Sequence, residues 1–502
     1  MNPLLYTDYY KTEHHKMYPK GTTMIYSNFT PRKSRMKGVN KVVVFGIQHF
    51  IMKYLLDKFE NNFFKRPLEE IIDEYKFAVN VDTTHIEKLH KLGYLPLHIK
   101  ALPEGTLCPI GVPVLTVKNT HPDFYWLTNY METLMSTQLW QPMTSATIAH
   151  EYKRILSKYA IETTGTADFV TWQGHDFSMR GMSSVESGIL SGMGHLTSFT
   201  GTDTIPAIYA LRNSYKATGL IGASVPATEH SVMCMGTKED EVGTFKALMD
   251  KYPSGILSVV SDTWNLWRVC TEYLLTLKKD ILARDGKLVI RPDSGDPVDI
   301  ICGLNSKDVG MFNVNEPFTK DEPEYKGVIE LLWDIFGGTV NEQGYKVLDP
   351  HIGCIYGDGI TLEKAEQICE RLKAKGFAST NIVLGIGSYT YQCNTRDTFG
   401  FAMKATAGKV KNGKCGCENN EHKGECICEE LREIFKDPIT DDGTKKSKKG
   451  LLAVYDEMLD GNLIVKDQRT EDQEDTGMLE TVYLNGKLMK TTTLEEIRQR
   501  LN

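Results

Sequence analysis

The stretch LVIRPDSGDP, from Leu288 to Pro297, decides the fold predicted for this chain. Its apolar run up to Ile290 is typical of a buried strand in a parallel sheet. The strand must end at Arg291 and Pro292, because proline cannot donate a hydrogen bond to a central ladder. The residues at this end offer a cation, carboxylates, a hydroxyl and a flexible backbone: Arg291, Asp293, Ser294, Gly295 and Asp296. They form either a solvated polar turn or a site suited to a phosphorylated sugar and its metal ion.

The same arrangement recurs between about Ser145 and Gly400. Strand-like runs return every few tens of residues, and a helix-like segment such as Thr361–Lys375 follows each one. Their polar or glycine-rich ends are HDFSMR (175–180), GTDT (201–204), SVPATEHS (224–231), VVSDT (259–263), IYGDG (355–359) and LGIGSY (384–389). This repeat predicts an α/β barrel with its site at the C-terminal ends of the strands. A doubly wound open sheet is the alternative.

The regions on either side are richer in short strands. Pro and Gly interrupt apolar stretches in Leu95–Val117, as in antiparallel strands joined by tight turns. Leu451–Tyr455 and Thr481–Leu484 are strand-like, and the hairpin signal Asn485-Gly486 follows the second. We predict an N-terminal α+β domain, a catalytic barrel inserted in it, and a C-terminal segment that rejoins it: 1–144, 145–400 and 401–502.

Composition excludes several classes of protein. Of the 502 residues, 41% are hydrophobic and 25% charged, as in globular proteins. The net charge of -7 argues against a general nucleic-acid binder. No apolar run is long enough for a membrane span, and the start MNPLLYTDYYK lacks the apolar stretch of a signal peptide. The 11 cysteines are mostly scattered, which indicates reduced thiols and a cytoplasmic enzyme. The acidic run Glu471–Asp475 is interpreted as a solvated loop.

Carboxylates next to glycine or serine stand at three strand ends: Asp262, Asp293 and Asp358. In a barrel they would converge with Arg180 and Arg291. A carboxylate pair alone would fit a glycoside hydrolase. The arginines and the glycine turns GDG and GIGS fit a phosphorylated sugar better, since open backbone amides bind phosphate and carboxylates bind ribose hydroxyls or Mg²⁺.

Two further groups carry chemistry. His230 lies in a loop after IGASVP, where a chemical role competes with a solvated one. Four thiols in a short hydrophilic segment could bind Zn²⁺: Cys415, Cys417, Cys426 and Cys428. Their C-x-C spacing differs from the usual C-x-x-C, so unligated or redox-active thiols are the alternative.

Several motifs, in this order, resemble the nicotinamide phosphoribosyltransferase family, whose members are type II phosphoribosyltransferases. To the strand ends above they add TDYYK (7–11), YWLTN (125–129), HDF-x-x-RG (175–181), NTRD (394–397), FKDP (435–438) and KKSKKG (445–450). The resemblance implies an irregular (β/α) barrel that transfers phosphoribosyl from phosphoribosyl pyrophosphate to nicotinamide. It also implies Mg²⁺, ATP coupled through a phosphohistidine, and a homodimer that shares its active sites.

The resemblance implies a role for each matching position. Phe177 and Tyr10 of the partner subunit would stack on the pyridine ring, and Asp203 and Arg180 would bind the carboxamide. Ser224 would be a further substrate-binding residue. The ribose would be held by Arg291, Asp293, Gly357 and Asp358. The 5′-phosphate would be held by Gly387 and Ser388, with Arg396 and Lys404 of the partner subunit. The diphosphate side would be lined by Arg32, Lys436 and Lys445. His230 would be the phosphorylated histidine, and Asp262 would keep the metal region in place.

The chain departs from the family pattern in places. The phosphate turn is GIGSY, with Ile386 and Tyr389 where the family has smaller residues, and Ala402 replaces a serine that contacts phosphate. The Cys-rich segment 409–430 has no counterpart. Nicotinate phosphoribosyltransferase is the nearest alternative, but Asp203 would repel a nicotinate anion. A non-catalytic nucleotide-binding protein is a further alternative, against which the intact Asp203, His230 and Asp293 argue.

Overall fold

The computed structural model describes residues 1–304, 321–357, 359–411, 429–440, 448–458 and 461–502. The predictions for Asp358, Lys445 and the four clustered cysteines lie outside these ranges. The chain forms two compact units. The first comprises 1–147, 210–217 and 394–502, and the second comprises 148–209 and 218–393.

The first unit contains a seven-stranded antiparallel sheet that combines strands from both ends of the chain. Its strands, in spatial order, are Glu429–Glu433, Ala402–Lys411, Thr22–Thr30, Leu115–Asn119, Leu97–Ala101, Glu480–Leu484 and Lys487–Leu488. The last two form the predicted hairpin, in which Asn485 and Gly486 both have positive φ, of 47° and 81°. Two small sheets pair Lys41–Val43 with Leu107–Pro109 and Leu451–Asp456 with Leu463–Arg469.

Helices complete the first unit and bury its apolar core. Phe29 and Val117 of the sheet belong to one continuous cluster with Phe50 and Leu139 of the helices. The helical segments are Pro3–Leu5, Tyr9–Glu13, His14–Met17, Ile47–Phe50, Ile51–Lys58, Glu60–Phe64, Leu68–Ala78, Thr84–Leu92, Pro122–Phe124, Leu127–Tyr130, Glu132–Thr164 (to Thr147 in this unit), Arg396–Thr398, Glu471–Glu474 and Leu494–Leu501.

The acidic run at 471–475 is not simply a solvated loop, so that prediction was wrong. Residues Glu471–Glu474 form a helical turn, and the Glu474 side chain is only 1% exposed. Lys100 Nζ lies 3.3 Å from Glu474 Oε1, and Lys118 Nζ lies 3.4 Å from Oε2. Both lysines precede Glu474 by more than 350 residues in the chain, so the local sequence pattern could not reveal the pairing.

The second unit is built on a six-stranded sheet whose neighbouring strands all run parallel. Its strands, in spatial order, are Gly201–Thr202, Gly174–Asp176, Ile382–Ile386, Ile352–Tyr356, Asp285–Arg291 and Ser254–Val260. The strand that contains Leu288 and Ile290 is an inner strand, next to Ser254–Val260 at the edge, and buries both side chains. It ends at Arg291 before Pro292, as predicted. The six polar strand ends therefore lie at one edge of the sheet.

A seventh segment bridges the two outer strands of this sheet. The Thr202 backbone N–H donates to Ala223 O, and the Thr228 N–H donates to Ser258 O. The segment between Ala223 and Thr228 thus forms parallel bridges to both edges, with Gly201 and with Ser258. The mixed α/β class and a parallel half-barrel sheet agree with the prediction, while the domain boundaries and the insertion in a β-rich domain stay predictions.

Helices follow the strands of the second unit. Thr361 caps the helix Leu362–Ala374 by accepting from the Lys364 N–H at 3.2 Å, and Gly376 has the positive φ of 76° expected after its end. The helical segments are Val170–Gln173, Met179–Gly181, Val185–His195, Ile205–Tyr215 (to Tyr209 in this unit), His230–Met235, Glu241–Lys251, Leu266–Arg268, Val269–Tyr273, Leu274–Ala283, Pro297–Cys302, Pro323–Lys326, Val328–Phe336, Leu362–Ala374, Ser379–Asn381 and Ser388–Gln392, with a hairpin of Gly338–Val340 and Lys346–Leu348. Among the described residues, no helix has the length and apolar character needed to cross a membrane.

Candidate functional site

The C-terminal edge of the parallel sheet forms a cleft of about 780 Å³. Its wall combines aromatic, cationic and acidic side chains from several strand ends. The predicted site residues that line it are Phe177, Arg180, Asp203, Arg291, Asp293 and Gly357. Met179, Thr204, Ala227, Thr228, Glu229 and Val232 complete the wall. The structure therefore brings together residues that are up to 180 positions apart in the chain, as the converging strand ends predict.

Two neighbours fix the Asp203 carboxylate. Oδ1 accepts a hydrogen bond from Ser224 Oγ at 2.5 Å and lies 3.0 Å from His175 Nε2. Oδ2 has no partner among the described residues. Partial burial alone would raise the pKa of Asp203, but the bonds to His175 and Ser224 and the charge of Arg291 outweigh it, so the pKa lies below its usual value. Asp203 is therefore an ionised acceptor with one oxygen available to a ligand.

Close packing holds the His175 ring that reaches Asp203. A Cβ at position 201 would lie 2.7 Å from His175 Nδ1, so only glycine fits there. The Phe177 ring packs beside His175 with centroids 4.5 Å apart and planes tilted by 36°. Gly385 makes room for Phe177, because a Cβ there would lie 2.7 Å from its Cδ2. The aromatic floor of the cleft thus depends on glycine at two strand positions.

Arg291 and Arg180 supply the positive charge of the cleft, and Arg291 lies against its aromatic side chain. The Arg291 guanidinium carbon lies 5.8 Å from the centre of the Phe177 ring. Burial lowers the pKa of Arg291, and the carboxylates of Asp293 and Asp203 oppose that effect. Its Nε is buried without a partner among the described residues. An unpaired donor of this kind is available to an oxygen-rich ligand.

The Asp262 carboxylate organises the turn after Arg291. Its Oδ2 accepts from the Asp293 N–H at 2.9 Å and from Ser294 Oγ at 2.6 Å. Its Oδ1 is buried and has no partner among the described residues. Gly357 lets this turn approach, since a Cβ there would lie 2.9 Å from Asp293 Oδ1. Two carboxylates with an unused oxygen suit a hard cation such as Mg²⁺.

His230 stands at the rim of the cleft. It is the first residue of the helix His230–Met235, and its side chain is 49% exposed. Its Nε2 lies 3.8 Å from Asp293 Oδ2, and its Nδ1 lies 3.3 Å from Thr263 Oγ1. The ring is thus accessible and oriented by a carboxylate on one side and a hydroxyl on the other.

Gly387 and Ser388 lie at the end of the Ile382–Ile386 strand. Ser388 packs so closely on Gly181 that a Cβ at Gly181 would lie 2.1 Å from Ser388 Oγ. Since Gly181 follows Arg180 of the cleft wall, this predicted phosphate turn lies beside the cleft.

Four of the predicted phosphate ligands form a cationic cluster in the first unit. Burial lowers the pKa of Lys404, and the positive charges of Arg32, Lys436 and Arg396 lower it further, against the attraction of Glu132. A set of cations that repel one another is a suitable site for a polyanion. Tyr10, also in this unit, is 61% exposed with Lys11 Nζ 5.0 Å above its ring.

Sequence reasoning gave no role to three residues of the site. His175 contacts Asp203, Thr263 contacts His230, and Glu229 lines the cleft and accepts from Ser231. Ser294, the hydroxyl predicted in the turn after Arg291, contacts Asp262. Each lies within or beside a quoted strand-end motif, so the motif gave the signal, but no pattern indicates which side chain a histidine or serine contacts.

Family models and known proteins are similar to this chain in sequence. Residues 172–425 match the nicotinate phosphoribosyltransferase (NAPRTase) family, and residues 2–98 match the N-terminal domain of nicotinamide phosphoribosyltransferase. The chain is 50% identical to the nicotinamide phosphoribosyltransferase of Acinetobacter baylyi, over 100% of this chain and 97% of the relative. It is 36% identical to that of Mycoplasma pneumoniae, over 88% of this chain and 94% of the relative.

Solved structures share the fold. Human nicotinic acid phosphoribosyltransferase superposes with a TM-score of 0.51 at 14% identity, covering 99% of this chain and 92% of that one. Nicotinate-nucleotide pyrophosphorylase from Pyrococcus furiosus superposes with a TM-score of 0.52 at 12% identity, covering 100% of this chain and 95% of that one. The chain therefore belongs to the nicotinate phosphoribosyltransferase (NAPRTase) family, and within it to the group of the nicotinamide phosphoribosyltransferases.

Proposed function

We propose that this chain transfers the phosphoribosyl group of phosphoribosyl pyrophosphate to nicotinamide, giving nicotinamide mononucleotide and diphosphate in the salvage of NAD. The observation that carries the choice of base is the Asp203 carboxylate, which His175 and Ser224 keep ionised and oriented. An ionised acceptor binds the N–H of a carboxamide and repels the carboxylate of nicotinate. The names of the full-length relatives support the same substrate.

The base would lie on Phe177. Its ring forms the aromatic wall of the cleft, and Tyr10 of the partner subunit would cover the opposite face of the pyridine. Asp203 Oδ2 would accept from the carboxamide nitrogen, and Arg180 would donate to the carboxamide oxygen. This arrangement fixes the direction in which the pyridine nitrogen points.

The ribose and its leaving group would occupy the end of the cleft at Arg291 and Asp293. The unpartnered Nε of Arg291 and the unpartnered Oδ1 of Asp262 are the groups that an oxygen-rich, metal-bound ligand would satisfy. Asp262 and Asp293 would hold Mg²⁺, which when bound neutralises charge on the departing diphosphate. Gly357 and Asp358 would complete the contacts to the ribose.

The chain's own residues would act mainly by position and charge. When the bond from C1 of the ribose to diphosphate breaks, its electron pair leaves with the diphosphate and C1 becomes oxocarbenium-like. The Asp293 carboxylate would stabilise that positive charge, and Phe177 would hold the pyridine nitrogen on the opposite face for attack. No side chain has to remove a proton, so orientation and electrostatic stabilisation supply the catalysis.

ATP would be coupled through His230. In this step a ring nitrogen of His230 forms a bond to the γ-phosphorus of ATP, the bond from that phosphorus to the oxygen of ADP breaks, and the ring loses its proton to solvent. The exposed ring and the adjacent Asp293 carboxylate support this role. The negative charge of the phosphorylated His230 ring, at the rim of the cleft, would act directly on the proposed diphosphate site.

We further propose a cytoplasmic homodimer with shared sites. The cationic cluster of Arg32, Arg396, Lys404 and Lys436 would bind the phosphates of substrate held in the partner's cleft, together with Lys445. Gly387 and Ser388 would bind the 5′-phosphate from the same subunit as the base. In this arrangement the catalytic unit is an irregular (β/α) barrel inserted in the β-rich domain.

One assay tests the proposal. Purified protein is incubated with nicotinamide, phosphoribosyl pyrophosphate and Mg²⁺, with and without ATP, and nicotinamide mononucleotide is measured. A parallel reaction contains nicotinate in place of nicotinamide. We expect nicotinamide to be the better substrate by kcat/KM and ATP to increase the rate. A preference for nicotinate would overturn the assignment of the base.

A further inference from the structure

The first unit contains a second polar cleft, of about 340 Å³, that the proposed reaction does not use. Three side chains at this cleft place potential metal ligands close together: His15, Asp82 and His85. One nitrogen or oxygen atom from each lies within 4.8 Å of the other two. Two imidazoles and a carboxylate form a common ligand set for a divalent transition metal.

His15 has the hydrogen bonding of a metal-ligating histidine. Its Nδ1 lies 3.0 Å from the backbone oxygen of Thr12, so this nitrogen carries the proton and donates it. That bond leaves the lone pair of Nε2 free, and Nε2 is buried with no partner among the described residues. A backbone carbonyl that orients the second nitrogen is the usual outer contact of a histidine ligand.

His85 is the least satisfied polar side chain of the cleft. It is only 8% exposed, and neither ring nitrogen has a partner among the described residues. An unsatisfied buried polar group is destabilising, so a ring left in this state is expected to have a ligand. The ring packs only by stacking, at 3.9 Å from the His15 ring and edge-on at 4.7 Å from Trp126.

Asp82 supplies the charge and the opening to solvent. Its Oδ1 accepts from Thr84 Oγ1 at 2.7 Å and from the Thr84 N–H at 3.2 Å, which holds the carboxylate at the start of the helix Thr84–Leu92. Oδ2 has no partner among the described residues. Asp82 is exposed, so an ion can reach the cluster from water.

We propose that His15 Nε2, a ring nitrogen of His85 and Asp82 Oδ2 bind one Zn²⁺ ion, with water as the fourth ligand. The His15 and His85 planes are only 20° apart, so their in-plane lone pairs do not yet converge. Binding therefore requires the His85 ring to turn out of its stack on His15, and no hydrogen bond among the described residues opposes that rotation.

The charges around the cleft allow a cation to bind. Lys88 and Lys411 also line the wall, and the charge of Lys16 acts on His15 and Asp82. The carboxylates of Asp82, Asp123 and Glu13 oppose these positive charges. The lysine ammonium groups are on long side chains that can move away from the ion. His15 lies in the helical turn His14–Met17, and His85 lies in the helix Thr84–Leu92. A bound ion would therefore link the N-terminal segment to that helix.

The test uses the full-length chain with its four clustered cysteines changed to serine, which removes the competing thiols at 415, 417, 426 and 428. After chelation and dialysis, this protein is titrated with Zn²⁺, and with Co²⁺ as a spectroscopic substitute. We expect one equivalent to bind, with a Co²⁺ d–d band and no thiolate charge-transfer band. Thermal unfolding should shift upwards when Zn²⁺ is added.

Substitutions at the ligands identify the site. His85→Phe, which keeps the stacked ring, should lose the equivalent, and Asp82→Asn at the exposed position should weaken Zn²⁺ binding by ten-fold or more. His90→Gln is the matched control, because His90 lies on the same helix but its Nε2 is 2.9 Å from the backbone oxygen of Arg66. If the protein without the four clustered cysteines binds no equivalent, or if both ligand variants bind as tightly as it does, the proposal is wrong.

Discussion

Ser224 Oγ donates a 2.5 Å hydrogen bond to the same oxygen of Asp203 that lies 3.0 Å from His175 Nε2. Because both neighbours use Oδ1, the carboxylate is held in one orientation, and Oδ2 has no partner among the described residues. His175 lies in the strand Gly174–Asp176, Asp203 directly follows the strand Gly201–Thr202, and Ser224 lies in the segment that bridges the outer strands. If Asp203 binds the base as proposed, we expect the choice of base to depend on all three residues.

Replacing the carboxylate tests the choice of base. We expect Asp203→Asn to shift preference towards nicotinate, because an amide can donate to the carboxylate of nicotinate and no longer repels it. Loss of a charged acceptor should lower kcat/KM for nicotinamide by about ten- to a hundred-fold. The ratio of kcat/KM for the two bases is the measurement. An unchanged ratio would show that Asp203 does not contact the carboxamide.

The hydroxyl of Ser224 should affect the binding of nicotinamide by orienting the Asp203 carboxylate. Ser224→Ala removes one of the two bonds to Oδ1, so we expect the KM for nicotinamide to rise about three- to ten-fold, equivalent to about 1 kcal/mol. The KM for phosphoribosyl pyrophosphate should change little. Ser224→Thr keeps the hydroxyl at an exposed position and serves as the matched control. Equal effects of Ala and Thr would exclude the hydrogen bond as the cause.

Substitution of His230 should remove the coupling to ATP without abolishing phosphoribosyl transfer. We expect His230→Ala to abolish stimulation by ATP and labelling from the radioactive γ-phosphate of ATP, while some transfer without ATP persists. His351→Ala is the control, since His351 pairs with Asp349 at 2.7 Å at the opposite end of a strand, just before Ile352. Full stimulation by ATP in the His230 variant would rule out a phosphohistidine at this position.

Local pattern predicted much of the second unit. The apolar run before Arg291 and Pro292, and the capped helix from Thr361, depend on contacts within a few residues, and both formed as expected. Contacts across the sheet could not be predicted in the same way. The bond from His175 to Asp203 joins two strand ends 28 residues apart. Strand order decides that contact, and one sequence does not reveal strand order.

The same reason explains the error at Glu474. Its partner Lys100 lies 374 residues away, so an acidic run that is paired and buried has the same local composition as a solvated one. We expect Glu474→Gln to lower the free energy of unfolding by about 3 kcal/mol, because it leaves the buried ammonium of Lys100 with only the exposed carboxylate of Asp475, at 3.3 Å. Denaturant unfolding measures the change.

A double variant is the control for this pair. Lys100→Met combined with Glu474→Leu removes both charges, and we expect it to recover most of the lost stability. Asp472→Asn, at an exposed position of the same helical turn, should change the free energy of unfolding by less than about 0.5 kcal/mol. Similar losses for the Glu474 and Asp472 variants would contradict a buried ion pair.

Glu241 should make stability depend on pH. The residue is 2% exposed, and Oε1 has no partner among the described residues. Burial raises the pKa of Glu241 to about 7, against a weak opposing attraction from Arg268. In the unfolded chain the pKa is about 4.3. Between these values the folded protein keeps a proton that the unfolded chain has lost, so the free energy of unfolding falls as pH rises from about 4 to 7 and is level above that.

Substitution by glutamine should remove this dependence. Glu241→Gln cannot ionise, so the stability of the variant minus that of the unsubstituted protein should increase by on the order of 3 kcal/mol between pH 4 and pH 8. Urea unfolding at a series of pH values measures the difference, with the exposed Glu239→Gln as the matched control. A difference that stays constant across this range would mean that Glu241 ionises at the same pH in both states, and that its burial is relieved by solvent.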